Sequence, residues 1–409
     1  MTKAPNSIQD SRQGWFARMK RRRTARWSLR VLYVLVFLAV FGDFIANDKP
    51  IWCKVEGQHY FPVLKQYSVD LGLSGWDARF LQTDWKEQPY EAVLFPPVPY
   101  TASGLDLRNS NFRSPFGKQR VSSWRWRHWL GTDRLGRDVL AGLIAGTRVA
   151  LLVGLIAMGV AVLIGILMGA LAGYFGDDKV RIRRGQALAL VPGLVLAGFY
   201  AFMAPPAGWG IGLRLLVFLA VLFLFFSFGK MIPGKWATQP VRLPLDMLVM
   251  RTIEVFNSIP TLLLLLAVVA VLESSSIFYV MLVIGLVRWT GIARFLRAEL
   301  MKVKKLNYIE AARAMGFSEG RILFKHALPN ALGPVIITTA FGIAGAILLE
   351  SVLSFLGIGV GGDSVTWGSM LSAARQAPSA WWLALFPGLA IFITVTIFNL
   401  LGEALSESV

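Results

Sequence analysis

The sequence predicts an all-α polytopic membrane protein of about eight transmembrane helices, and three observations carry that reading. The 409 residues are 55% hydrophobic and 16% charged, with a mean hydropathy of +0.56, whereas about a quarter of a soluble chain is charged. Eight apolar runs are long enough to cross a bilayer. No strand-like alternation is present, and a bilayer admits only helices or closed barrels.

The net charge of +18 lies largely in the N-terminal tail and in short loops between apolar runs, which is the positive-inside pattern rather than a nucleic-acid surface. Cys53 is the only cysteine, so neither an intrachain disulfide nor a cysteine metal cluster is possible. His59, His128 and His326 are far apart and show no ligand spacing. Nucleophile elbow, phosphate loop and carboxylate pair are all missing, so no catalytic residue, metal site or cofactor is expected on this chain. If ATP drives the protein, another chain binds it.

Residues 1–46 read as a basic cytoplasmic tail facing anionic lipid, built around Lys20-Arg21-Arg22-Arg23, followed by a first span, Val31–Ala46, that Asp43 interrupts. An uncleaved anchor is preferred to a signal peptide, because no small-x-small site follows Phe41. Residues 47–147 are polar, aromatic and proline-rich, and are expected to form a small folded outer cap. Within the cap, Trp124, Trp126 and Trp129 alternate with Arg125, Arg127 and His128. That alternation reads as an interfacial aromatic belt, with a peptide-carboxylate site as the alternative. Gly131, Thr132, Asp133, Gly136, Arg137 and Asp138 read as a tight, hydrogen-bonded turn before the second span.

That second span is Val149–Gly176, within a segment 148–176, and Gly165, Gly169 and Gly173 give it a face for close helix packing. Residues 177–247 hold two further runs, Gln186–Ala204 and Ile211–Gly229. Residues 248–409 hold the last four: Val255–Leu272, bent by Pro260; Ser276–Ala293, with Arg288 near its inner end and able to snorkel; Leu332–Leu353; and Trp381–Leu401. Glu350 is an acid inside a span, either functional or held in a structural pair at the outer interface. Gly357–Gly362 and Thr366–Met370 read as an outer re-entry loop. An even number of spans puts both termini in the cytoplasm.

Between the sixth and seventh runs lies a polar, basic stretch of about thirty residues, 297–330, much longer than a bare connector. It reads as two helices: Ala298–Met315, with Leu300, Val303, Ile309 and Ala312 as an irregular apolar stripe, and a second, capped by Ser318 and ended by Pro329. Gly316 stops the first. Glu310, Ala311 and Ala312 are expected to face a cytoplasmic partner.

Glu310-Ala311-Ala312, Gly316 and His326-x-Leu328-Pro329 resemble the coupling loop of ABC-importer permeases, in which the His326 position is more often isoleucine. Leu130 to Val139 resembles the signature of the C-type subunit of dipeptide and oligopeptide permeases. Ile45–Pro50 and Tyr60–Ser68 are similar to the matching loop of the microcin-type oligopeptide permeases. The resemblance covers residues 27–176 and 248–405, and it makes 177–247 look like an insertion. It implies a type I ABC importer, MetI-like core in the inner membrane, a second homologous permease chain, two ATP-binding subunits holding ATP and Mg, and an extracytoplasmic solute-binding protein. A secondary transporter is the first rival, disfavoured because Asp43 and Glu350 are the only acids within spans; a structural or channel-forming protein is the second. Nickel, opine or glutathione importers share the motifs.

Overall fold

The structure, a computed structural model, describes residues 22–80, 84–205, 209–271, 276–358 and 365–408. The basic tail up to Arg21 and most of Gly357–Gly362 lie outside the described residues. Among the described residues, seven helices are long and apolar enough to cross a membrane, and a broken pair provides an eighth candidate. The chain forms two compact units: Met1–Ile164 with Ile259–Ile292 and Gly333–Val409, and Gly165–Ser258 with Ala293–Leu332.

In the first unit, helix α1 (Arg23–Ile45) packs on the C-terminal helix, with Ala25 against Ala404 and Arg22 paired with Glu407. It starts eight residues before the expected Val31, because Trp27 and Arg30 are compatible with a helix and nothing before Val31 breaks one. The cap that follows is a three-stranded antiparallel sheet, with β1 (Trp52–Val55) between β2 (Gln58–Tyr60) and β3 (Ala92–Leu94), next to helix α2 (Pro62–Asp70). Cys53 pairs with Tyr60 on one side and Val93 on the other, and is fully buried. The cap core is aromatic: Phe80, Trp85 and Phe95 pack with Tyr60, Trp76, Tyr90 and Trp126.

Helix α3 (Val139–Ala170, continuing through a wider turn to Phe175) begins ten residues before the expected Val149. The reason is local. Asp138 accepts the Ala141 N–H at 2.7 Å, capping the helix, so Thr147 and Arg148 are helical and the expected boundary at 147/148 falls inside the helix. The apolar core joins Val153 and Ala157 of α3 to Leu265 of α7 (Thr261–Val271), Met281 and Ile284 of α8 (Ile277–Val303), and Ala346 and Leu353 of α12 (Gly333–Phe355). Gly154 permits the close approach of α12: a Cβ there would lie 2.7 Å from Ile343. Helices α13 (Trp367–Gln376) and α14 (Trp382–Ser406) complete the unit.

In the second unit, strands β4 (Arg181–Arg183) and β5 (Pro240–Arg242) pair antiparallel at the base of a helical hairpin, α4 (Arg184–Gly198) and α5 (Ile211–Met231). A Cβ on Gly229 would lie 2.5 Å from the Gln186 Cα, so glycine lets the helices meet just above the strands. Helix α6 (Leu245–Ser258) follows; Asp177 accepts the N–H groups of Asp246 and Met247 at 2.9 and 3.2 Å and so caps its start. Gly169 and Gly173 of the expected packing face do pack closely: Cβ atoms there would lie 2.9 Å from the Ala293 carbonyl and 2.8 Å from the Arg297 carbonyl.

The expected span Val255–Leu272 is not one helix. The chain stops α6 at Ser258 and restarts α7 at Thr261, so this span exists only as a broken pair. Pro260 cannot donate an N–H and biases Ile259 away from helix, which breaks the run rather than bending it.

Candidate functional site

The segment 297–330 is held to its own unit on one side and open on the other. Leu300 and Val303 are buried at the end of α8. The expected helix Ala298–Met315 is interrupted, because α8 ends at Val303 and α9 (Asn307–Ala314) restarts after an extended Leu306. The reason is phase. In an uninterrupted helix, Ile309 would lie about 180° around the axis from Leu300. The break at Lys304–Leu306 brings Ile309 and Ala312 back to the buried side. Lys304 anchors the break by donating to the Gly173 carbonyl at 3.0 Å.

Ala312 is therefore turned into its own chain at 3% exposure, which corrects the expectation that it faces outward with Glu310 and Ala311. Glu310 and Ala311 are exposed, as are Ala314, Met315 and Gly316. Gly316 has φ of +79°, a left-handed conformation that glycine adopts without strain, and a Cβ there would meet nothing within 4 Å. Ser318 accepts the Arg321 N–H at 3.4 Å and caps α10 (Glu319–Ile322).

Pro329 does not end the second helix. The chain continues through a widened turn, Leu323–Ala327, into α11 (Leu328–Ala331), with Pro329 directly after that turn. His326 is half-buried with its ring stacked on Phe317, centroids 6.1 Å apart, and Leu328 is half-buried beside the exposed Pro329.

A residue that sequence reasoning passed over ties the segment down. One carboxylate oxygen of Glu319 accepts from the Tyr174 hydroxyl at 2.5 Å and from the Lys179 ammonium at 2.7 Å; the other accepts from Arg313 at 3.1 Å. Burial alone would raise this carboxyl, but the hydrogen bonds and charges of Lys179, Tyr174 and Arg313 hold it down at about 2. Arg297 pairs with Asp246 through both guanidinium nitrogens. The segment is thus a rigid bracket that shows an outer face of Glu310, Ala311, Ala314, Met315 and Gly316.

The signature turn of the first unit is a second constellation. Gly131 and Gly136 have φ of +80° and +84°, and a Cβ on Gly136 would lie 2.0 Å from the Asp106 carbonyl oxygen. Thr132 is fully buried, donates to the Asn109 carbonyl at 2.7 Å and accepts the Arg113 N–H at 3.0 Å. Asp133 accepts from the Leu135 and Arg137 N–H groups. Trp382 of α14 donates to the Thr132 carbonyl at 3.1 Å. Buried His128 bridges Asp138 at 2.8 Å and Asp106 at 3.2 Å. The turn therefore locks the cap onto the start of α3 and the start of the chain's last helix.

The tryptophan and arginine alternation divides between unlike tasks. One guanidinium nitrogen of Arg127 donates to the Pro115 carbonyl at 2.7 Å and one of Arg125 to the Phe95 carbonyl at 3.2 Å, so each arginine is tied to the cap backbone. Trp126 belongs to the cap core, and Trp124 stacks edge-on against Trp129. The three tryptophans therefore do not form one continuous belt, since Trp126 packs against the cap core.

Glu350 is 1% exposed in α12, where Ser354 donates to it at 2.7 Å, and no cation contacts it among the described residues. Arg288 does not lie near a helix end, because α8 runs on to Val303; its guanidinium fills a notch left by Gly345, where a Cβ would come within 2.0 Å.

The family described as binding-protein-dependent transport system inner membrane component matches residues 234–409. The inner membrane ABC transporter permease protein YejE of Escherichia coli (strain K12) is 28% identical over 401 residues, covering 97% of this chain and 96% of its own. The dipeptide transport system permease protein DppC of Alkalihalophilus pseudofirmus is 29% identical over 303 residues, covering 74% and 78%. The glutathione transport system permease protein GsiD of Pectobacterium atrosepticum is 30% identical over 285 residues, covering 69% and 71%.

Proposed function

The chain belongs to the binding-protein-dependent transport system inner membrane components, and from that premise we propose that it is the permease subunit that carries short peptides across the inner membrane in an ATP-driven importer. The single observation behind the coupling part of this reading is the bracket 297–330. Its inner face is tied by Ile309, Ala312 and Glu319, and its outer face is small and exposed, with no partner among the described residues. A cleft in an ATP-binding subunit would receive that face. A rigid bracket passes a push on Glu310–Gly316 to α8, whereas a flexible loop would dissipate it.

In this reading ATP and Mg are held by two ATP-binding subunits and this chain performs no chemistry of its own. A second permease chain completes the path, an extracytoplasmic binding protein delivers the substrate, and both termini face the cytoplasm. The peptide class rests on the relatives for dipeptides and glutathione, both short peptides. The test is purification of the tagged chain in mild detergent, followed by peptide uptake with the reconstituted complex. ATP-dependent uptake of a labelled short peptide, with ATPase subunits retained, is the expected result. Uptake driven by an ion gradient without those subunits would sink the reading and favour a secondary transporter.

A further inference from the structure

We infer that the strand-paired base of the α4–α5 hairpin is a binding site for the phosphate headgroup of an anionic phospholipid. The register of the two strands carries this. Arg181 and Arg183 alternate with half-buried Ile182, so both project from one face of β4, and both are exposed. Across the ladder, Arg181 stands directly opposite Arg242. Like charges facing each other across a strand pair destabilise it. Asp178 neutralises Arg242 at 2.6 Å. Arg181, Arg183, Arg184, Lys230 and Lys235 have no carboxylate partner among the described residues. From Lys179 to Arg242 the sequence contains no acid at all.

Five uncompensated cations, two on β4 and three at the adjoining helix ends and connection, call for an anion from outside the chain. The hairpin above them indicates which kind. Only 6% of the apolar window of α5 is buried within the described residues; Leu224 and Phe228 lie exposed, as do Leu188 and Val191 of α4. Trp236 is 56% exposed at the junction of helices and strands, the level at which tryptophan marks a membrane interface, and the Arg184 guanidinium lies 5.6 Å from its ring. A free phosphate would satisfy the cations and leave the helices bare. A phospholipid satisfies both, its headgroup on Arg181, Arg183 and Lys235 and its acyl chains along α4 and α5. Cations beside a membrane surface attract anionic lipid in this way.

The test uses the complete complex in neutral detergent, titrated with phosphatidylglycerol or phosphatidylcholine and read by native mass spectrometry. The wild type should retain phosphatidylglycerol in preference to phosphatidylcholine. The triple variant Arg181→Gln, Arg183→Gln, Lys235→Gln should bind phosphatidylglycerol about tenfold more weakly. The charge-keeping variant Arg181→Lys, Arg183→Lys should stay close to the wild type, which separates lost charge from lost folding. Millimolar inorganic phosphate should not displace the lipid. Equal retention of the two lipids, unchanged binding by the triple variant, or displacement by inorganic phosphate would each overturn the site. So would an acidic protein held by the wild type and lost from the triple variant while lipid retention stays constant.

Discussion

Arg148 of α3 and Asp43 of α1, 105 residues apart in sequence, meet in a 2.8 Å ion pair that fixes the first helix to the second. Arg148 also donates to the Ala39 carbonyl at 2.8 Å, and the Tyr67 hydroxyl of the cap donates to the same Asp43 oxygen. Burial and the adjacent Asp43 push the Tyr67 hydroxyl up to about 12, so it stays protonated and remains a donor across the physiological range.

Removing one charge of this pair leaves the other unpaired near the membrane. Asp43→Ala should destabilise the chain by about 1–3 kcal/mol, and the double variant Asp43→Ala/Arg148→Ala should recover part of the loss. Thermal unfolding of the detergent-solubilised protein measures both. A double variant no more stable than Asp43→Ala would show that the pair is incidental.

Glu319 predicts a pH dependence with a defined sign. Its carboxyl is held at about 2 against an ordinary 4.5. A depressed carboxyl stabilises the folded segment at every pH above its unfolded value, and that stability fades as the pH falls from about 4.5 towards 2. In Glu319→Gln this contribution is gone already at neutral pH. Amide exchange across Asn307–Ala314 should be faster in Glu319→Gln than in the wild type at pH 7, and the gap should narrow below about pH 4.5 and close only towards pH 2. Equal exchange at pH 7 would remove Glu319 from the account of the bracket.

The run of spans was legible because hydropathy is a local property, and the capped turn at Ser318 and the glycine at 316 were legible for the same reason. What was hidden depended on partners distant in sequence. Asp43 was visible as an acid in a span, but nothing near it announced Arg148. Glu319 carries no local signal, because Tyr174 and Lys179 lie 145 and 140 residues away. The break at Lys304–Leu306 was readable in principle, since the stripe Leu300, Val303, Ile309 loses helical phase between its second and third members.

Gly316 separates backbone strain from bulk. Because φ is +79°, any side chain strains this position, but asparagine tolerates the left-handed region better than most. Gly316→Asn should keep most peptide uptake, whereas Gly316→Trp, with the chain still inserted, should lose about tenfold or more by blocking a receiving cleft. Matching uptake by the two variants would mean that the outer face is not received by a partner.

Cys53 reports on the cap. It is fully buried, and burial raises its thiol above the ordinary range, leaving less thiolate to react at neutral pH. A membrane-impermeant maleimide added outside should therefore label it only after the cap is unfolded by mild denaturant. Labelling that requires access from the cytoplasmic side instead would reverse the orientation.

The helical hairpin can be removed without disturbing what flanks it, and the strand pair shows where to cut. The Leu243 N–H donates to the Val180 carbonyl at 2.9 Å, so these two residues already close the antiparallel ladder on the core side. Replacing 181–242 by Asn-Gly, which favours the tight turn that joins two antiparallel strands, should bridge them without strain. Asp177 would still cap α6, and Lys179 would still reach Glu319. Because the excised helices enter and leave on the same side, the orientation of everything downstream is kept. The shortened chain should assemble with ATP-binding subunits and retain most uptake per assembled complex, while losing the preference for phosphatidylglycerol. Assembly without transport would place the hairpin in the path or its gate.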